Sequence, residues 1–212
     1  NTYLAVSCLY LTALDGVKYA VNCGKTPDEL LKELSKTAGE DADYLQKERE
    51  YRCEKNVFED YTQEERDAVF GKPPATVWEN VKIMKENPDK VAVLTQGDGI
   101  SDAIVDSFVA GIVYRWENEL IDRLIPDTEA AVKRYKKLIH EDELDEERWD
   151  SISAKRIELI KDGRHKKCIC TKLKEALKRK DYDMASNLQR EMVRKTEALG
   201  EEYRTYALNI ID

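Results

Sequence analysis

Residues 101–125, SDAIVDSFVAGIVYRWENELIDRLI, decide the fold. Val105, Val109, Ile112, Val113, Trp116, Leu120 and Leu124 recur at spacings of three and four, and Ile104, Phe108, Ile121 and Ile125 widen the stripe. That period is helical, and so broad an apolar face belongs to a helix wrapped by others. Pro126 is expected to end it.

The composition agrees. The chain has 212 residues, 42% of them apolar and 37% charged, with 9 Gly and 5 Pro. Sandwiches and barrels need many more turn residues. The expected class is all-α: an irregular helical bundle around a central helix at 101–125, with a C-terminal helical hairpin. The expected division is a bundle over 1–163 and a hairpin over 164–212, either separate or packed on the bundle as one domain.

Three stretches carry a Thr followed three residues later by Glu, the reciprocal N-cap signature: Thr26–Glu29, Thr62–Glu65 and Thr76–Glu79. They predict helices over about 27–37, from 62 to before Gly71, and over 76–86 up to Asn87-Pro88. Lys72-Pro73-Pro74 reads as an extended linker. A charged surface helix over 41–57, stopped from its neighbour at Gly39, is held by pairs such as Glu48 with Arg52. Residues 91–95, VAVLT, suit either a lone strand or a buried helical turn, and Gly97-Asp98-Gly99 a flexible turn. Helices over 128–140 and 144–161 follow, the second capped at Gly163. Residues 171–212 read as helix with breaks near Asp181 and Gly200.

Residues 3–22 carry a stripe at Leu4, Cys8, Leu11, Ala13, Leu14, Val17 and Val21, closed by Gly24. The apolar run at 3–14, YLAVSCLYLTAL, is too short to cross a bilayer. It lacks the flanks of a signal peptide. A first core helix is expected, with no membrane partner. The five cysteines, Cys8, Cys23, Cys53, Cys168 and Cys170, are odd in number and irregular in spacing. Reduced thiols and a cytoplasmic location follow.

Charge is unevenly spread. The net charge is −8, yet residues 161–180 hold nine basic and two acidic side chains. Lys166, Lys167, Lys174, Lys178, Arg179 and Lys180 are the candidate contact residues. They suit an acidic protein partner, a second copy, or the phosphates of a nucleic acid. The other reading is a charge match within the chain itself. No aromatic side chain interleaves the run to stack on bases.

Within the same region, Leu173, Leu177, the turn Asp181-Tyr182-Asp183, Ala185, Leu188, Glu191 and Met192 resemble the UVR motif, a short antiparallel helix pair of excision-repair proteins and Clp-type chaperones. The likeness covers residues 173–192. It departs at Gln189-Arg190, where the family has Arg-Asp, and at Ser186, where the family has a small Ala. The resemblance implies docking against another hairpin and protein–protein contact.

Two other side-chain patterns point to metal chemistry instead. Glu29 and Glu33, Asp102 and Asp106, and Glu119 and Asp122 lie three or four apart and share helix faces. Such pairs hold Mg in all-α nucleotide pyrophosphatases, but the first Glu-x-x-Glu of that pattern is missing. His165, Cys168 and Cys170 supply three soft ligands for Zn, with Cys53 needed as a fourth; Lys166 and Lys167 beside them are expected to activate a thiol. No Glu-x-x-His, phosphate loop or nucleophile elbow occurs. His140 and His165 are the two histidines. The resulting expectation is a non-catalytic helical interaction or assembly protein without a cofactor. A Mg-dependent hydrolase and a non-specific nucleic-acid binder are its rivals.

Overall fold

The computed structural model describes residues 2–35, 58–69, 72–96, 100–138 and 143–211. The expected 41–57 helix, Gly39, the Gly97–Gly99 turn, Cys53 and His140 lie outside the described residues. Those described form α1 (Thr2–Asn22), α2 (Pro27–Leu34), α3 (Gln63–Val69), α4 (Val77–Glu86), α5 (Pro88–Ala92), α6 (Asp102–Glu119), α7 (Ile125–Arg134), α8 (Glu143–Ile160), α9 (Ile169–Lys178) and α10 (Tyr182–Ile211). Among the described residues there is no strand, and the fold is all-α. The VAVLT segment is helical, α5 running into a 3-10 turn at Val93–Thr95, but it is not the buried turn expected, since none of its residues is buried.

The chain separates into two compact units, residues 1–74 with 87–102, and 75–86 with 103–212. The second unit therefore runs across residue 163.

In the first unit, α1 packs against the 3-10 turn. Gln96 bridges two charges of α1: Lys18 Nζ donates to its Oε1 at 3.2 Å, and its Nε2 donates to Asp15 Oδ1 at 3.4 Å. Gly24 makes the reversal after α1 at φ +68°, a conformation that costs glycine no steric strain. Both halves of the Thr26–Glu29 box form, as do both halves of Thr62–Glu65.

The expectation of a core helix over 3–22 is corrected: no residue of α1 is buried. The predicted stripe splits between two sides. Leu4, Cys8 and Leu11 are half-buried together with Asp15 and Tyr19, whereas Ala13, Leu14, Val17 and Val21 are exposed. Apolar spacing identifies a helix but not which side meets the rest of the fold.

The second unit has its core around the last three helices. Leu173, Ala176 and Leu177 of α9 are at most 2% exposed. They share a cluster with Ile152 and Leu159 of α8 and Ile125 and Val132 of α7. Along α10, Ala185, Met192, Leu199 and Tyr206 are buried, one every seventh residue. That spacing keeps a single seam facing inward over three heptads, and Ala185 at its head lets α9 come close. The 101–125 stripe joins this core late. Within α6 the first buried side chain is Trp116.

Four helix boundaries differ from expectation, at Pro126, Arg134, Gly163 and Gly200. Pro126 does not stop the central helix. It has no N–H for the carbonyl four residues back, and the chain answers with one wide turn at Leu120–Leu124, where Ile125 N–H reaches Leu120 O. Helicity then continues to Arg134. There the backbone becomes extended because α10 holds it: Tyr203 Oη accepts from Lys136 N–H and donates to Lys136 O, and Tyr206 Oη accepts from Leu138 N–H at 3.1 Å. Gly163 is not a left-handed cap for α8; its N–H donates to Lys166 O at 2.8 Å within the following loop. The break at Asp181 is present, but α10 passes through Gly200 unbroken. The glycine there makes room, since a Cβ would stand 3.2 Å from Tyr135 Oη.

Candidate functional site: the tip of the C-terminal hairpin

The α9–α10 turn is built locally. Asp181 N–H reaches Ala176 O and Lys180 N–H reaches Leu177 O, both at 3.0 Å, which is the paired closure of a helix end. The residue that must turn left-handed is Lys180, at φ +58°. Asp181 Oδ1 then accepts Met184 N–H at 3.1 Å and starts α10.

Around this turn lies a cluster of aromatic and charged side chains. Tyr182 sits between two tryptophans, its ring centre 4.8 Å from Trp78 and 6.0 Å from Trp116. Each indole N–H is used: Trp78 Nε1 donates to Asp183 Oδ1 at 3.1 Å, and Trp116 Nε1 to Gln189 Oε1 at 2.8 Å. Lys82 reaches the same Asp183 oxygen at 3.2 Å. Glu117 is buried, and Lys180 Nζ lies 2.7 and 2.9 Å from its two oxygens. Burial pushes the Glu117 carboxyl toward protonation. The hydrogen bonds from Lys180 and Tyr182 outweigh it and hold the group ionised, below its usual range.

The three departures from the UVR pattern all have partners in this chain. Ser186 Oγ is 2.7 Å from Thr76 Oγ1, both buried. Gln189 takes the Trp116 indole. Arg190 pairs with Glu79 of α4 at 3.1 Å. Glu79 in turn accepts Ala75 N–H, one residue before the cap that the Thr76 box predicts.

The six cations singled out by sequence divide into two groups. Lys174 pairs with Glu129 at 2.8 Å, Lys166 with Glu158 at 3.7 Å, Lys167 with Glu175, and Lys180 with Glu117. These four are charge matches within the unit. Lys178 and Arg179 are exposed at the end of α9, where the helix dipole favours cations. Arg179 Nη2 meets only the Met184 sulfur, at 3.7 Å, and among the described residues neither cation has an acidic partner.

The two cysteines proposed for zinc are otherwise employed. Cys168 Sγ accepts Thr171 N–H at 3.4 Å as the N-cap of α9. Asp162 Oδ1 takes Cys168 N–H at 2.8 Å, which holds its carboxyl below the ordinary range. Cys170 is buried against Met192 Sδ at 3.8 Å. His165 is exposed. For Cys170 the expected thiol activation is corrected: burial pushes its thiol up to about 12, and Lys166 and Lys167 are paired with glutamates.

The candidate magnesium ligands are placed as follows. In the first unit, Glu29 caps α2 through Thr26, and Glu33 takes Lys25 Nζ at 2.8 Å and Tyr19 Oη at 3.1 Å. Asp102 is exposed at the start of α6. In the second, Asp106 and Asp122 are exposed and Glu119 pairs with Arg123. Among the described residues, no group of three or more His, Cys, Asp or Glu side chains is placed to hold a metal ion.

Comparison with known proteins finds no family model that matches the chain, and no curated protein or solved structure similar to it.

Proposed function

We propose that the chain is a non-catalytic helical interaction protein, working in a reducing, cytoplasmic-type compartment. It presents the end of α9, at Lys178 and Arg179, to an acidic segment of a protein partner or of a second copy. The observation that carries this reading is the contrast among the six candidate cations: four are paired internally, and Lys178 and Arg179, adjacent at the hairpin tip, are left exposed with no acidic partner among the described residues. Elsewhere in the run the same holds for Lys161 and Arg164, and Lys172 is half-buried, likewise without an acidic partner among the described residues. The tip that carries them is held firm by the Tyr182–Trp78–Trp116 cluster, so a partner meets two charges on a fixed frame, which lowers the ordering cost of binding. Exposed charges of this kind set association rate and partner choice more than final affinity.

The test is charge reversal. Pull-down of partners and light scattering of the isolated chain are compared for the parent and the Lys178→Glu, Arg179→Glu double variant. Association should weaken by about tenfold or more and should fall with added salt. Association that ignores the double variant sinks the proposal. Binding to a mixed-sequence RNA with a steep salt slope, in place of protein, points to the nucleic-acid reading instead.

A further inference from the structure

The basic hairpin leaves α1 unexplained. Its exposed half bears Tyr3, Val6, Leu9, Tyr10, Ala13, Leu14, Val17, Ala20 and Val21, and no charged residue. Leu9 is 70%, Tyr10 75% and Val21 76% exposed. The two charges inside the helix, Asp15 and Lys18, both meet the Gln96 side chain of the first unit. The helix thus differs from one that faces water: its two charges lie toward the protein with Leu4, Cys8 and Leu11, Lys18 being exposed at the edge of that side, and an uncharged, largely apolar half faces out. A helix on a water-soluble surface has the opposite arrangement.

We infer that α1 is an in-plane membrane anchor, whose outward half lies in the surface of a bilayer of neutral lipid while its other half stays docked on residues 93–96. Three features select lipid as the occupant. First, the apolar residues cover rows well beside one another. A two-helix seam needs the row Tyr3, Val6, Tyr10, Ala13, Val17 and Ala20, and would leave Leu9, Leu14 and Val21 in water; a bilayer surface covers the whole half. Second, with no cation on that half, nothing recruits anionic headgroups, and the absence of any charge fits the acyl region itself. Third, an 18-residue window of α1 has a mean hydropathy of 1.3, against −0.65 for the chain. The helix has the length and composition to cross a bilayer. The in-plane placement is preferred because it keeps the Asp15 and Lys18 contacts to Gln96, which crossing would break, sending both charges into hydrocarbon. The sequence-based expectation of no membrane partner rested on the run 3–14 alone, whereas the helix extends over 21 residues.

The experiment floats the full chain with phosphatidylcholine vesicles. The parent should rise with the vesicles equally at about 0.1 M and about 1 M salt, because screening does not weaken an apolar contact. Leu9→Asp with Val17→Asp should lower the bound fraction at least tenfold. Both positions are exposed, so unchanged helical circular dichroism confirms that the variant still folds. Lys178→Glu should leave flotation unchanged, which separates this inference from the hairpin proposal. A parent that stays in solution, or a double variant that floats as well as the parent, overturns the anchor. So does a lipid-free dimer abolished by the double variant, which makes a second copy the occupant. A segment protected from protease on both sides of sealed vesicles overturns the in-plane placement.

Discussion

Lys180 adopts a left-handed backbone at φ +58° and from there places its ammonium 2.7 Å from Glu117, a buried carboxylate 63 residues earlier in the chain. Glycine is the residue that this turn position favours. A lysine here accepts backbone strain, and the return is a partner for Glu117. Two substitutions separate the terms. Lys180→Met keeps the strained backbone and leaves the carboxylate with Tyr182 but no cation; Lys180→Gly removes the cation too but relaxes the turn. The melting temperatures should fall in the order parent, Lys180→Gly, Lys180→Met. If Lys180→Gly melts above the parent, the ion pair contributes less than the strain that it requires.

Acid should loosen the second unit through the same carboxylate. Lys180 and Tyr182 hold Glu117 below its ordinary range, and Lys195 and Lys166 do the same for Glu158. A carboxyl depressed in the folded state adds stability that is present above its unfolded value and lost as pH falls through the folded one. Urea midpoints should therefore hold steady near neutrality and drop below about pH 4, through the carboxylate range. Glu117→Gln should begin lower at neutral pH and lose less on acidification. A parallel drop in parent and variant would remove Glu117 from the account.

The buried hydroxyl pair of Thr76 and Ser186, 2.7 Å apart, ties α4 to α10. Ser186→Ala should destabilise by about 1 kcal/mol, the net value of a buried hydrogen bond. Thr76→Val should cost more, because Thr76 Oγ1 also accepts Glu79 N–H as the cap of α4. In the double-mutant cycle the pair should show a coupling of about 1 kcal/mol. Additive effects in urea melts would mean that the two hydroxyls do not depend on one another.

What the sequence revealed was what is local. Thr26–Glu29 and Thr62–Glu65 are contacts three residues apart, and both formed as written. The Asp181–Tyr182 turn was visible for the same reason. Contacts at long range were not. Gln189 and Arg190 read as departures from a motif until Trp116 and Glu79, 73 and 111 residues away, came into view. The basic run read either as a contact patch or as a charge match within the chain, because the acids that pair with Lys166, Lys167, Lys174 and Lys180 stand eight or more residues away. Trp78 and Trp116 offered a faint signal for the tip cluster: two of only three tryptophans in a helical chain. The side of α1 that faces out was illegible in principle, since one apolar period serves a helix packed inward and a helix facing lipid alike.

The cysteines should react in an order set by burial. Cys8 and Cys23 are half-buried, whereas Cys168 and Cys170 are buried, with the Cys170 thiol pushed up to about 12. The thiolate is the reactive form, and at pH 8 almost none of Cys170 is ionised. Alkylation of the native chain followed by mass spectrometry should modify Cys8 and Cys23 first and Cys170 only after denaturant is added. Early labelling of Cys170 would show that the α9–α10 core opens readily.

Gly200 and Tyr135 give the sharpest test of packing. A helix interior ordinarily gains about 1 kcal/mol when Gly becomes Ala. At Gly200 the new Cβ would stand 3.2 Å from Tyr135 Oη, closer than comfortable contact. The ring has little freedom to retreat. It stacks on Tyr203 at 4.5 Å between centres, and the Tyr203 hydroxyl is fixed by both backbone groups of Lys136. Gly200→Ala alone should therefore leave the melting temperature within a degree or two of the parent, the propensity gain spent on the crowding. With Tyr135→Phe in the background the obstructing oxygen is gone, and the same substitution should stabilise by about 1 kcal/mol. Equal gains in both backgrounds would show that Tyr135 gives way, and that Gly200 stands in α10 for a reason other than the approach of that hydroxyl.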